Sequence, residues 1–145
     1  MPSSRLSKIA SPVVPPSRPP RITKEVSAMG WIENAHGEIL LVRQTAGRKH
    51  WALPGGKINA DETLVAGLHR EIAEETGLTV AFESQVALFD RPAKQNLTFV
   101  FRVTVEPGEP TIPRPHEISA FQYTRKLPGN ATPALRHFWK LFRGK

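Results

Sequence analysis

Three glutamates lie close together in the segment REIAEETG, namely Glu71, Glu74 and Glu75. Apolar residues at helical spacing precede and overlap them, and Gly77 follows, a residue type that commonly ends helices. The pattern predicts a helix from about Glu62 to Thr76, with Asp61 as a candidate N-cap. Like charges three or four residues apart destabilise a helix by roughly 0.2–0.5 kcal/mol per pair. The cluster therefore indicates a compensating positive charge nearby.

At about 100° per residue, this helix has two distinct faces. The predicted buried stripe consists of Val65, Leu68 and Ile72. Gly67 falls on the other face, with the glutamates. Because glycine inside a helix costs up to about 1 kcal/mol relative to alanine, Gly67 indicates that another backbone segment approaches closely. The nearest candidate is PGGK, residues 54–57.

Three carboxylates on one helix face, beside a glycine-rich segment, form a candidate site for a hard divalent cation. Mg²⁺ prefers oxygen ligands and keeps several of its waters. A bound cation would remove the repulsion, neutralise phosphate oxygens and lower the pKa of a bound water. Arg70 is spaced to pair with a neighbouring acid and so to brace the site. The alternative interpretation is a solvated acidic face with basic partners.

The net charge of +7 belongs to the two ends of the chain. Residues 1–24 carry +5 and residues 125–145 carry +6, whereas residues 25–124 hold nine basic and thirteen acidic side chains. Basic ends favour polyanionic partners such as RNA, but such ends are more often simply solvated. The charge alone therefore gives only weak support for RNA binding.

The chain divides into a proline-rich arm and one domain. Residues 1–23 contain six prolines and no acid, which predicts a flexible basic arm, and residues 24–145 are predicted to form a single domain. No apolar run approaches the roughly 18 residues of a membrane span. Cysteine is absent, which excludes disulfides and a cysteine nucleophile. A cytoplasmic location is the expectation.

Strand-like runs surround the predicted helix. They cover residues 24–33, 38–44, 51–53, 78–90, 96–106 and 117–124. Residues 54–61 are predicted to be irregular, and Thr132 followed by Pro133 predicts a last helix over residues 133–142. The combination indicates an α/β (α+β) fold in which a mixed sheet lies between helices.

The segment GKINADETLVAGLHREIAEETGL, Gly56 to Leu78, resembles the Nudix box, G-x5-E-x7-R-E-U-x-E-E-x-G-U, where U is a bulky apolar residue. Every fixed position of the box is met by Gly56, Glu62, Arg70, Glu71, Ile72, Glu74, Glu75, Gly77 and Leu78. The resemblance extends weakly over about residues 25–125. Glu117 precedes Tyr123 by six residues, where the family usually has Trp at the second position.

This resemblance to Nudix hydrolases of the MutT-like kind implies an α/β/α sandwich and a set of roles. Mg²⁺ or Mn²⁺ would be held by Glu71, Glu74 and Glu75, with the carbonyl of Gly55 or Gly56. Glu62 and Arg70 would support the site. Glu117 would be a further metal ligand or the general base, because members of the family differ on that role.

The implied reaction is hydrolysis of a phosphoanhydride in a nucleoside diphosphate linked to another group. A nucleoside triphosphate is the first expectation, on the compactness of the chain. ADP-ribose, an ADP-sugar or a dinucleoside polyphosphate is the second, and the 5′ end of an RNA is the third. Arg43, Arg48 and Lys57 are candidate phosphate contacts. A solvated basic surface explains Arg48 and Lys57 equally well, whereas Arg43 extends from the end of a strand and is the better candidate.

Two readings from other classes remain open at this point. The first is a binding module that keeps the fold without catalysis, which the complete set of glutamates disfavours. The second is a nucleic-acid-binding protein whose affinity would fall steeply with salt. The pattern is compatible with a monomer or a homodimer.

Overall fold

The computed structural model describes residues 17–144, without the side chain of Gln85. Most of the predicted arm, residues 1–16, lies outside this range. Residues 17–23 are exposed and belong to no helix or strand. The boundary between arm and domain at residue 24 therefore stays a prediction.

Seven strands and two α-helices follow one another within residues 17–144. In order they are β1 Glu25–Ile32, β2 Ile39–Gln44, β3 Trp51–Ala52, β4 Gly55–Lys57, α1 Leu64–Thr76, β5 Val80–Arg91, β6 Asn96–Val105, β7 Ile118–Thr124 and α2 Pro133–Arg143. A short 3-10 helix, Pro92–Lys94, separates β5 from β6. No helix within residues 17–144 has the length and apolar content needed to cross a membrane.

The strands form two sheets. The larger has the order β4-β1-β6-β5, and the smaller has the order β3-β2-β7. β1 runs parallel to β6, whereas all the other pairings are antiparallel. The mixed sheet expected from the sequence is confirmed, and a separate antiparallel sheet accompanies it.

The alternation of side chains along β1 explains the layering. Ala28 and Ile32 belong to a buried cluster with Leu68 and Ile72 of α1. Trp31 belongs to a second buried cluster, which includes Leu135, Phe138 and Trp139 of α2. Because successive strand residues point to opposite faces, the two helices cover opposite sides of the sheet. The expected α/β/α sandwich is confirmed.

Helix α1 begins and packs differently from the prediction. Its N-cap is Thr63, whose hydroxyl accepts from the backbone N–H of Ala66 at 3.1 Å, so the assignment of Asp61 was wrong. Val65 is 36% exposed, so the buried apolar stripe consists of Leu68 and Ile72 without it. Gly77 ends the helix with φ +72°, as predicted.

The glycine segment is also more regular than predicted. Residues 55–57 form β4, and Met29 of β1 is paired with Gly55. Gly55 has φ +146°, and a Cβ there would lie 2.2 Å from the carbonyl oxygen of Ala28. Absence of a side chain thus allows the segment to approach β1 as a strand.

Another part of the chain does lie close to Gly67, as predicted, but the contacting atoms belong to side chains and not to a backbone segment. A Cβ on Gly67 would lie 2.4 Å from Cδ1 of Ile58 and 2.8 Å from Oε1 of Glu62. The expected contact with the backbone of residues 54–57 is therefore wrong for Gly67. That segment meets α1 further along, at the glutamates.

Gly55→Ala is expected to lower the free energy of unfolding by about 1–3 kcal/mol from backbone strain. The collision of the new Cβ with β1 should add to this loss. A chemical denaturation curve measures this. The matched control is Gly129→Ala, where an added Cβ meets nothing within 4 Å and the change should stay within about 0.5 kcal/mol. Equal stability of the two variants would contradict the assigned role of Gly55.

Candidate active site

The glutamates of α1 interlock with the two glycines of β4. The backbone N–H of Gly55 donates to Oε1 of Glu75 at 2.8 Å. A Cβ on Gly56 would lie 2.7 Å from the carboxylate carbon of Glu71. Any side chain at Gly56 would therefore displace the Glu71 carboxylate. The box glycine and the box glutamates are thus parts of one packed unit.

Arg70 connects the entry of the helix to its acidic face. Its Nη1 donates to Glu71 at 2.9 Å and to Glu74 at 2.8 Å. Its Nε and Nη2 donate to the two carboxylate oxygens of Glu62 at 3.1 and 2.5 Å. Nη2 also donates to the carbonyl of Lys57 at 3.1 Å. One guanidinium group therefore holds three carboxylates and the end of β4.

This pairing changes the proton affinity of both partners. Arg70 donates to Glu62, and the backbone N–H of Asn59 donates to the same carboxylate at 2.8 Å. These bonds, with that of Arg70 the larger cause, lower the pKa of Glu62 to about 2. The carboxylate of Glu62 in turn raises the pKa of Arg70 above its ordinary value. Glu62 is thus a fixed negative charge that orients Arg70.

The pKa values of Glu71 and Glu75 are shifted in the opposite direction, upwards. The pKa of Glu75 is raised to about 8, mainly by burial and to a smaller extent by the neighbouring carboxylates of Glu71, Glu117 and Glu74. Burial likewise raises the pKa of Glu71, against the opposing effect of Arg70. A nearby positive charge would favour the ionised form of both groups. The single positive charge of Arg70 therefore does not neutralise all the carboxylates of the cluster.

A second arginine contacts the cluster from the loop before β7. Nη2 of Arg114 donates to Oε2 of Glu74 at 2.7 Å, and Nη1 donates to Glu117 at 3.4 Å. Arg114 was not identified from the sequence. The available signal was an arginine between two prolines, three residues before Glu117. Arg114 brings Glu117 into the same network as the glutamates of α1.

The donor set fits a hard cation in its chemistry. Within residues 17–144, no three His, Cys, Asp or Glu side chains are grouped in a way that could hold a metal ion. Both oxygens of Glu74 are instead engaged by arginines, one by Arg70 and the other by Arg114. The carboxylates of Glu71 and Glu75 still carry raised pKa values. A divalent cation would favour the ionised form of both carboxylates, and carboxylate oxygens are the ligands that Mg²⁺ and Mn²⁺ prefer.

The three basic residues predicted to contact phosphate have other partners among the described residues. Nε of Arg43 donates to the carbonyl of Lys49 at 3.2 Å. Lys57 pairs with Glu25 at 2.9 Å. For Arg48, the backbone carbonyl accepts a hydrogen bond from the side-chain amide of Asn130 at 3.1 Å. A phosphate-binding role for Arg43, Arg48 and Lys57 stays a prediction.

A sequence model of the NUDIX domain matches residues 23–138. The chain belongs to the Nudix family. The resemblance that the box indicated is thereby confirmed. Nudix hydrolases generally use divalent metal ions.

Individual Nudix proteins show how far the similarity extends. A MutT-like protein of Streptomyces ambofaciens is 34% identical over 77 residues, which are 53% of this chain and 49% of that protein. Phosphatase NudJ of Escherichia coli K12 is 31% identical over 96 residues, 63% of each chain. The matches thus span about half to somewhat less than two thirds of these relatives' own lengths.

The fold is shared with solved Nudix structures. The crystal structure of a MutT NUDIX hydrolase from Burkholderia pseudomallei has a TM-score of 0.70 and 26% identity, and the match covers 79% of this chain and 95% of that one. The two-helix, two-sheet arrangement is therefore the arrangement of Nudix hydrolases.

The raised pKa of Glu75 predicts that the metal-free Nudix protein loses stability as the pH rises. The folded carboxyl keeps its proton up to about pH 8, whereas the unfolded one loses it near its ordinary value of 4.5. Between these values the folded state binds more protons, so raising the pH favours unfolding. At about 1.4 kcal/mol per pKa unit, the decrease should be on the order of 1–4 kcal/mol.

Glu75→Gln should flatten this profile, so that the variant is more stable than the wild type at pH 8.5 in chelator. Thermal unfolding at several pH values measures the difference. Glu106→Gln, which removes an exposed carboxylate, is the matched control and should keep the slope of the wild type. If Glu75→Gln also kept that slope, Glu75 would not be its source.

Proposed function

We propose that this protein hydrolyses a phosphoanhydride bond in a nucleoside diphosphate linked to another group, with Mg²⁺ or Mn²⁺ as cofactor. The observation that carries the proposal is the packing of Glu71 and Glu75 against Gly55 and Gly56. This packing places residues of the complete Nudix box in one cluster of carboxylates, which Arg70 and Arg114 neutralise only in part. A nucleoside triphosphate, cleaved to a monophosphate and pyrophosphate, is the preferred substrate, on the compactness of the domain.

The cation would be held by Glu71, Glu74 and Glu75, with the carbonyl of Gly55 or Gly56. When bound, such a cation neutralises phosphate oxygens and lowers the pKa of a bound water. The residues of the chain provide positioning, which supplies a large part of the acceleration in phosphoryl transfer. Arg70 has that function here, because its bonds to Glu62 and Lys57 fix the direction of its contacts with the glutamates.

Glu75 and Glu117 are two candidates for the group that accepts a proton from the attacking water. The pKa of Glu75 is about 8 in the metal-free protein, and the positive charge of a bound cation would favour its ionised form, which a general base needs. The side chain of Glu117 is 45% exposed, and solvent can reach it directly. Glu117 is alternatively a further ligand of the cation.

ADP-ribose, an ADP-sugar or a dinucleoside polyphosphate is the alternative small substrate, and the 5′ end of an RNA is the macromolecular one. A cytoplasmic location, and assembly as a monomer or a homodimer, stay predictions from the sequence. Each substrate yields different products, so one experiment separates them.

A nucleotide panel with Mg²⁺ tests the reaction and the substrate together. We expect a nucleoside triphosphate to give a nucleoside monophosphate and pyrophosphate, which chromatography and a pyrophosphate assay detect. Faster turnover of ADP-ribose, with adenosine monophosphate as product, would select the alternative. Undiminished turnover in excess chelator would refute the use of a metal. A panel without any turnover would favour a binding module.

Glu74→Gln and Glu75→Gln should each reduce kcat at least about 100-fold, the scale expected when a group that stabilises transition-state charge is lost. Glu75→Gln should keep the fold, because the amide oxygen can still accept from Gly55. Glu74→Gln loses ion pairs with two arginines and should cost up to about 1 kcal/mol of stability. Steady-state kinetics and thermal unfolding, with Glu106→Gln as control, give both quantities. Full activity in either variant would exclude that residue from the site.

A further inference from the structure

The loop that carries Arg114 is fastened to the end of α1. The backbone N–H of Thr111 donates to the carbonyl of Thr76, the last residue of α1, at 2.7 Å. The two segments touch, since a Cβ on Gly77 would lie 2.3 Å from the hydroxyl oxygen of Thr111. The loop therefore passes the acidic face of the helix at a fixed place, three residues before Arg114.

The backbone of Arg114 itself is also held. Its carbonyl accepts from the N–H groups of Glu117 at 2.9 Å and Ile118 at 3.0 Å, where β7 begins. Pro113 and Pro115 flank it, and a residue before proline is restricted to extended conformations. The backbone cannot easily move away from the glutamates. Only the side chain of Arg114, which is 41% exposed, has room to change position.

The two arginines of the network differ in how firmly they are bound. Arg70 donates to three carboxylates and to the carbonyl of Lys57. Arg114 has two carboxylate partners, and the contact with Glu117 is long, at 3.4 Å. Ion pairs that remain this exposed contribute little to stability. Arg114 is thus the partner of Glu74 that a competing cation can displace at lower cost.

We propose that Arg114 is an exchangeable counter-cation of the acidic site. In the metal-free protein it neutralises Glu74 and Glu117 together. It is displaced when a divalent cation takes the oxygen of Glu74, and its guanidinium group then binds the polyphosphate of the nucleotide. The second half of this inference rests on the proposed function.

The chemistry of the guanidinium group suits this exchange. It has several donors in a planar fork, which matches carboxylate and phosphate oxygens equally well. When a cation binds Glu74, the displaced guanidinium group of Arg114 needs a new anion. Because the backbone of Arg114 is anchored, its side chain still reaches the site. The phosphates that a bound cation attracts supply that anion. Arg114 would therefore couple occupancy of the metal site to recognition of the substrate.

The first test is a Mn²⁺ titration without nucleotide, followed by electron paramagnetic resonance of the free ion. Because Arg114→Gln removes the competitor for Glu74, it should bind Mn²⁺ about two- to fivefold more tightly than the wild type, which corresponds to an exposed ion pair. Arg114→Lys, which keeps a positive charge, should stay closer to the wild type. Arg136→Gln, on α2 at the opposite face, is the matched control and should bind Mn²⁺ unchanged.

The second test measures binding of a triphosphate analogue with a methylene bridge, by calorimetry in saturating Mn²⁺. Loss of a charge-assisted contact should raise its Kd at least about tenfold in Arg114→Gln, with a smaller increase in Arg114→Lys. Neither measurement needs turnover, so a failure of the proposed hydrolysis is seen separately in the nucleotide panel. Thermal unfolding confirms that the variants are folded.

The outcomes are decisive for each half. Unchanged or weaker Mn²⁺ binding by folded Arg114→Gln would overturn the exchange and leave Arg114 as a structural brace. Unchanged affinity for the analogue, or an analogue that the wild type does not bind, would overturn the contact with phosphate. Tighter Mn²⁺ binding together with weaker analogue binding supports both halves.

Discussion

The fork of Arg70 is the interaction on which the arrangement of the site depends. It joins the end of β4, the residue that precedes the helix cap, and the acidic face of α1. Without it, Glu71 and Glu74 would repel each other one turn apart, and the loop through Glu62 would lose its main contact with the helix. Burial nevertheless raises the pKa values of Glu71 and Glu75, which opposes their ionisation in the metal-free protein. A bound cation would favour the ionised form of both carboxylates.

The sequence predicts the parts of this structure that depend on local chemistry. The helix end at Gly77 follows from the freedom of glycine at positive φ, and the cap of α2 at Thr132 follows from a hydroxyl before proline. Apolar alternation correctly locates β1 and β6. The acidic face follows from the spacing of Glu71, Glu74 and Glu75. Each of these features is determined by neighbours within about one helical turn.

Features that depend on distant contacts could not be read in the same way. Asp61 and Thr63 are both residue types that cap helices well, so the local sequence alone does not select Thr63, where the structure begins α1. β4 consists of three residues that have little strand propensity by themselves. They form a strand because β1 lies beside them. Arg114 reaches Glu74 across forty residues, and no local pattern reveals such a contact.

The parallel pairing of β1 with β6 has a consequence for how the protein is made. Glu25 and Asn96 are partners although seventy-one residues separate them. During synthesis, β1 leaves the ribosome long before its partner exists, and α1 emerges before half of the sheet that it covers. Non-local pairing of this kind slows folding and exposes apolar surface while the chain waits. Helix α1 of a growing chain is therefore synthesised with its three glutamates before β5 and β6, half of the sheet that it covers, exist.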